Sequence, residues 1–535
     1  MGLKRFERLG QGYRGGWKAG KVSVTAVGMV ALLACPLLAQ NATATPPAGS
    51  SGTDDEAQHA PLTKQQAKDL FRSVDEIMAF ASKDSQLPIQ HSVKRKLITR
   101  EQVNKYLREK FNDDKDTKRM ERSELVLKKF GLLDRDFQLR PFLISLLTEQ
   151  VAGFYDDKTK TVNLLDWIDP DEQKPVLAHE LTHALQDQKV DLAKWSSVGS
   201  DDVAKNVQED NQHIQTDEAD TARDAVAEGQ AMVVFLDYSM RDTGRTLADA
   251  PGLLDKLKNS ITDTSGSPIL ARAPLLLQKS LMFPYSEGLG FEDAVLLKKG
   301  RDGAFAQVLA TPPSSTSEIL HPDDYMAHAP VPLLRMPDIH PLLDADYEPY
   351  DVGVMGEFDV RILTELFGGP QIAAALAPEW NGGIYYAAQR KSATAEEKNS
   401  TASLGMFYES KWKDEDSARS FLRVYQEELP RKYSGLKRRT HDEADDGEQV
   451  YSTNEGDVLL SIDGNGVFIS EGFPLALARK LRDEVMSAQS SGPLQVAGLR
   501  HGDAVHGEDP GISVTDWMES AGIMKAGFVD MELAR

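Results

Sequence analysis

The sequence holds one cysteine, Cys35, among 535 residues. A disulfide within the chain is therefore excluded, as are a thiolate zinc site and a Cys-His nucleophile pair. Positive charge is also scarce. Lys and Arg number 61 against 83 Asp and Glu, a formal charge of −22, which argues against nucleic acid and against anionic lipid as partners. Long apolar runs are nearly absent. Only Val22 to Leu38 is free of charge over a span that approaches a membrane helix.

That run has the features of an export signal. Lys4, Arg5, Arg8, Arg14, Lys18 and Lys21 precede it, and Ala42-Thr43-Ala44 offers a small-residue cleavage site. The expectation is a signal peptide over 1–44, a disordered spacer over 45–61, and a secreted or periplasmic mature chain with no membrane span. The alternatives are an uncleaved N-terminal anchor and a lipoprotein acylated at Cys35 after Leu32-Leu33-Ala34.

With 41% apolar residues and this length, the chain can bury more than one core. The pattern predicts an α+β fold: a mainly helical domain over 62–390 with a small sheet, then a smaller α+β accessory domain over 400–489. Residues 62–150 read as helices, Gly153 to Leu164 as a hairpin, and 200–216 as a polar excursion. A helix beginning at Pro175 runs to about Val190, and another spans about Asp217 to Met240. Residues 326–352 hold five prolines and read as a linker. The stretches 449–453, 458–462 and 466–470 form a meander, followed by a helix over 475–486. The tail 490–535 stays unassigned.

Within the first of those helices stands His179-Glu180-Leu181-Thr182-His183. Histidines four apart share one helix face, so both imidazoles can reach one Zn²⁺, and Glu180 can act as general base toward its water. Zinc lowers the pKa of that water from about 15.7 to about 7. The neighbours Val176-Leu177-Ala178 and Ala184-Leu185 are uncharged, so the pair belongs to a buried helix, where unpaired imidazoles are costly.

A catalytic zinc needs a third protein ligand. Lys189 occupies the place of a third histidine six residues on, and cysteine is excluded, so a carboxylate from a later helix is the natural choice. The run Ala222 to Ala231 presents Asp224 and Glu228 on one face among small residues. Glu228 is the nominated ligand and Asp224 an imidazole partner, with the swapped assignment open. Asp217, Glu218 and Asp220 read as solvated helix carboxylates.

The motif with a carboxylate on a following helix resembles the gluzincin branch of the zincin metallopeptidases. More narrowly, AHELTHALQDQ at 178–188, preceded by Val151 to Asp156, looks like secreted prokaryotic proteins of that branch. So do Phe283-Pro284-Tyr285 and the stretch from Pro312 to Pro322. The resemblance covers roughly 65–390. It implies an active-site helix, a sheet with its edge strand over the cleft, and glutamate as third ligand. A downstream Tyr or His commonly steadies the oxyanion in that branch, which makes Tyr155, Tyr285 and His321 candidates. The remaining histidines read as surface residues.

The function so expected is a zinc-dependent metallohydrolase acting on peptide or protein substrates, held by addition to the edge strand. The alternatives are a catalytically silent envelope binding or assembly protein on the same scaffold, and a zinc hydrolase of a non-peptide amide.

Overall fold

A computed structural model describes residues 61–489, apart from 111–113, 152, 197, 199–202, 251, 265–266 and 445–446. The expected signal peptide, Cys35, nearly all of the spacer and the tail lie outside the described residues. Among those described, no helix is long and apolar enough to cross a membrane.

The chain begins with α1 (Lys64–Ser85), β1 (Lys94–Ile98), α2 (Arg100–Lys110), α3 (Asp114–Phe130) and α4 (Leu139–Gln150). The hairpin β2 (Phe154–Asp156) and β3 (Thr161–Leu165) leads into α5 (Pro170–Val190), which carries the His-Glu-His motif, then α6 (Leu192–Ser196), α7 (Val207–Thr216) and α8 (Ala219–Met240). The helices α9 (Leu253–Ile261) and α10 (Leu275–Asp302) follow, with a π-turn over Gly303–Gln307 and the short α11 (Val308–Ala310), α12 (Thr316–Leu320), α13 (Pro322–Ala327) and α14 (His340–Leu343). The last part runs β4 (Tyr347–Val354), α15 (Glu357–Gly368), α16 (Pro370–Leu376), β5 (Trp380–Arg390), β6 (Leu404–Trp412), α17 (Glu415–Lys432), β7 (Lys437–Arg438), β8 (Glu448–Thr453), β9 (Gly456–Asp463), β10 (Gly466–Glu471) and α18 (Leu475–Ala488). The architecture is mixed helix and sheet, as expected.

Two sheets organise it. The small one has order β1-β3-β2, with β1 parallel and β2 antiparallel to β3. Strand β1 falls where only helices were expected. Its sequence Lys-Arg-Lys-Leu-Ile lacks an alternating apolar pattern because it lies at a sheet edge, where most of its side chains need no core. The large sheet has order β4-β5-β6-β10-β9-β8-β7, every pair antiparallel. It crosses the expected domain boundary, because β4 and β5 come from before residue 390 and pair directly with β6. The described residues belong to one compact unit.

Three further readings change. The linker over 326–352 ends in β4, whose Pro349 is tolerated because β4 is an edge strand with a register shift at that point. The excursion over 200–216 contains α7, whose buried Asp210 meets the buried His340 at 2.9 Å. His340 is thus a core residue and not a surface one. The motif helix starts at Pro170, five residues before Pro175, because Asp169 caps it by accepting from the Asp171 N–H at 2.8 Å.

The helical core is built on α8, which packs along α10 and α5. Small residues allow that approach. A Cβ on Gly288 would lie 2.1 Å from the Ala225 carbonyl oxygen, and one on Gly229 would lie 2.3 Å from the Gly288 carbonyl oxygen. Backbone meets backbone there, and neither helix can yield without moving its neighbours. Gly288→Ala is expected to lower the unfolding free energy by at least about 1–3 kcal/mol, an overpacking cost. Leu297→Ala on the exposed side of α10 should stay within about 0.5 kcal/mol of wild type. Urea denaturation of both variants checks this, and equal stabilities would contradict the packing argument.

Candidate metal centre

Helix α5 presents His179 and His183 on one face, and α8 brings Glu228 opposite them. All three are buried. His179 Nε2 lies 2.9 Å from Glu228 Oε2, and His183 Nε2 lies 3.5 Å from Glu228 Oε1. The two Nε2 atoms are 3.0 Å apart. One ligand atom from each residue falls within 4.8 Å of the others, and no second such group of His, Cys, Asp and Glu is found among the described residues. Of the two nominated carboxylates, Glu228 joins the pair and Asp224 does not.

This donor set fits a cation. Two imidazole nitrogens and a carboxylate converge on one small volume, and lone pairs that converge in a buried place repel unless positive charge lies between them. Their protonation shows the same demand. Burial alone would raise the Glu228 carboxyl, yet the imidazoles of His183 and His179 hold it well below the carboxylate range. Burial would lower His183, yet Glu228 pulls it up. For His179, burial prevails and the shift is downward. Left to themselves, the three residues form an imidazolium–carboxylate pair. A divalent cation would take the place of that proton, and the imidazole-carboxylate set is one that suits zinc.

Glu180 follows the first histidine and is fully buried. Its Oε2 accepts the backbone N–H of Tyr155 at 2.8 Å, and its Oε1 has no hydrogen-bond partner. Burial pushes its carboxyl up to about 8, with the nearby His183 opposing. The hairpin reaches this helix closely because position 153 is glycine. A Cβ there would lie 3.2 Å from Val176 Cγ1. Gln173 secures the far end, taking the Leu165 N–H and donating to the Leu165 and Ile168 carbonyls.

The other candidates fall in different places. The Tyr155 hydroxyl donates to Asp187 Oδ2 at 2.7 Å, where Lys160 also binds, so that hydroxyl is engaged away from the pair. Tyr155 matters instead through its backbone N–H, a role no side-chain pattern announces. Tyr285 is buried with its ring 6.3 Å from that of His179. His321 is paired with Glu357 at 2.9 Å, which raises its pKa, and is not part of the buried group. Asp224 is buried beside Arg223. The second nitrogen of His183 faces Gln186 at 2.8 Å, a partner that spacing alone does not mark.

Asp217, Glu218 and Asp220 are not solvated helix carboxylates. Asp220 accepts the Val198 N–H at 2.8 Å. Glu218 accepts from Ser315 Oγ at 2.8 Å and from Thr316 Oγ1. Asp217 accepts the Val354 N–H at 2.7 Å. With Asp351 and Asp359, Asp217 and Glu218 line a cavity of about 230 Å³ between α3, α8 and β4. Polar sequence at the start of α8 reflects these backbone and hydroxyl partners, and spacing alone does not reveal them.

Compared with family models, curated proteins and solved structures, the chain matches none.

The cavity carboxyls give a pH dependence with a definite sign. Burial raises Glu218 to about 7, Asp359 to about 6, and Asp217 well above its ordinary value. The folded protein therefore holds protons that the unfolded chain releases at about pH 4. The stability they confer is full below that pH and is lost as pH rises through 6 to 7. Glu218→Gln, which keeps partners for Ser315 and Thr316, should flatten the decline in unfolding free energy between pH 5 and pH 8. The change is of order 1.4 kcal/mol per unit of the raised pKa. A variant with the wild-type slope would contradict it.

Proposed function

We propose that this chain is an exported zinc-dependent metallohydrolase, most simply a peptidase. The observation that carries the reading is the buried convergence of His179, His183 and Glu228 beside Glu180. His179 and His183 would hold zinc through their imidazoles, and Glu228 would supply the carboxylate ligand. Zinc bound there would supply Lewis acidity and a water that ionises near neutral pH.

The remaining work belongs to the chain's own groups. Glu180 is fixed through Oε2 by the Tyr155 N–H, and Oε1 would be the proton acceptor for the attacking water once the positive charge of a bound ion counters the rise that burial gives its carboxyl. The same carboxyl then returns the proton to the departing amine. Strand β2 is an edge strand that turns the Tyr155 N–H toward α5. Glu180 already takes that N–H, so an extended peptide held along the hairpin would use its remaining main-chain groups, which still suits a substrate chosen loosely by sequence. Tyr285, stacked near His179, is the nominated donor to the developing oxyanion, while His321 braces Glu357. The signal-like features of residues 1–44 support the export part of this reading.

The test is metal analysis together with cleavage of casein and a peptide library. Wild type is expected to carry zinc and to hydrolyse substrate. Glu180→Gln should keep the zinc and lose activity by at least about 10²-fold, the scale of a removed general base. A wild type without zinc, or a Glu180→Gln protein as active as wild type, would sink the reading. Tyr285→Phe should lower kcat by about 10²-fold with KM little changed, whereas His321→Ala should leave kcat near wild type. The reverse pattern would transfer the oxyanion role to His321.

A further inference from the structure

We propose that Gln186 and Gln230 are positioning residues that fix which nitrogen of His183 carries a proton, so that Nε2 is presented to the metal. The proposal rests on the metal-site reading of His179, His183 and Glu228 and extends it to how one ligand is oriented.

The chain of constraint starts at the backbone. Helix α10 is interrupted at Gly300, with φ +71°, and the π-turn over Gly303–Gln307 follows. A π-turn shifts the helical hydrogen-bond pattern and can leave carbonyls open to side chains. Here the Ala304 and Phe305 carbonyls accept from Gln230 Nε2 at 2.8 and 3.2 Å. A carbonyl can only accept, so the NH₂ end of Gln230 must face the turn and its Oε1 must face away.

That oxygen accepts from Gln186 Nε2 at 2.9 Å. The same NH₂ group donates to the Ala227 carbonyl at 3.0 Å, one residue before Glu228. Both acceptors lack hydrogens, so the amide orientation of Gln186 is also determined. Its Oε1 is left pointing at His183 Nδ1, 2.8 Å away. An amide oxygen there requires a hydrogen on Nδ1, and a neutral imidazole with Nδ1–H carries its lone pair on Nε2. Nε2 is the atom that faces Glu228 and His179.

Neither amide can reverse alone. A flipped Gln186 would set its oxygen against the Ala227 carbonyl and Gln230 Oε1, and its NH₂ against Nδ1. Both glutamines are wholly buried, so water cannot repair those contacts. The backbone of one helix break thus selects a tautomer on another helix, through two side chains that touch neither metal nor substrate.

Two measurements decide the matter. In the metal-free protein, at a pH where His183 is neutral, ring ¹⁵N chemical shifts report its tautomer. Nδ1–H is expected, and an Nε2–H ring in wild type overturns the proposal whether or not zinc binds. Zinc affinity is then measured by chelator competition. Gln186→Leu and Gln230→Leu should each weaken zinc by about 10–100-fold. Because Gln230 acts through Gln186, Gln230→Leu should add nothing in the Gln186→Leu background. Additive losses, or two single variants with wild-type affinity, overturn the relay. A wild type that shows the Nδ1–H tautomer and binds no zinc would refute the metal reading and leave the relay standing.

Discussion

The approach of α8 to α5 and α10 governs the rest of the helical core, because a carboxylate can serve two imidazoles only if its backbone comes close to theirs. Glu228 has a side chain of three rotatable bonds, and no long reach is available to it. Gly229 and Gly288 remove the side chains that would hold α8 and α10 apart. Alanines at 222, 225, 227 and 231 thin the remaining surface of α8. Glycine inside a helix costs roughly 0.5–1 kcal/mol relative to alanine, a cost this packing accepts for proximity. The composition that made residues 222–231 look suited to close approach has the same origin as the geometry of the group.

Burying charge is the second constraint, and the protein meets it unevenly. Around Glu218, hydroxyls and backbone N–H groups satisfy the carboxylates, and burial still drives them toward the protonated form. In the sheet region, Lys129 is completely buried and reaches Glu455 at 3.1 Å and the Thr401 carbonyl at 3.3 Å, tying α3 to the sheet. These are internally completed networks. The His179–His183–Glu228 group differs, since its three acceptors face one another and, among the described residues, it is a proton on the imidazoles that balances them. Broken buried pairs cost several kcal/mol, so a group that lacks a permanent cation of its own is a poor structural device and a reasonable binding one.

Legibility from sequence followed the physics of each element. The His-Glu-His helix, the hairpin after Gly153, and the meander with its closing helix all carry their periodicity in adjacent residues, and apart from the earlier start of the helix at Pro170 they stand where the pattern puts them. Glu228 was accessible because spacing and small neighbours restrict helix faces. Strand β4 was hidden by Pro349 and by the four prolines that precede it, which mark a linker unless one knows the strand lies at an edge. β1 was hidden by its charges for the same reason. Asp217, Glu218 and Asp220 were misread because their partners are distant in sequence: Val354, Ser315 with Thr316, and Val198. A carboxylate looks alike in a sequence whether it faces water or a backbone N–H.

What remained invisible shares one property. Glu180 is oriented by the backbone N–H of Tyr155, and His183 by the backbone carbonyls of Ala304 and Phe305 acting through two amides. Main-chain groups are present at every residue, so nothing in the letters marks these three positions. The consequence concerns how such a centre can vary. Side chains at 155, 304 and 305 could change without disturbing the hydrogen bonds, provided β2 and the π-turn keep their places. Gln186 and Gln230 could not, because only an amide offers a donor and an acceptor at the needed separation in a dry interior. The strict positions of this arrangement are therefore spread over two helices, 179, 180, 183 and 186 on α5 and 228 and 230 on α8, and only the first cluster is short enough in sequence to stand out as a motif.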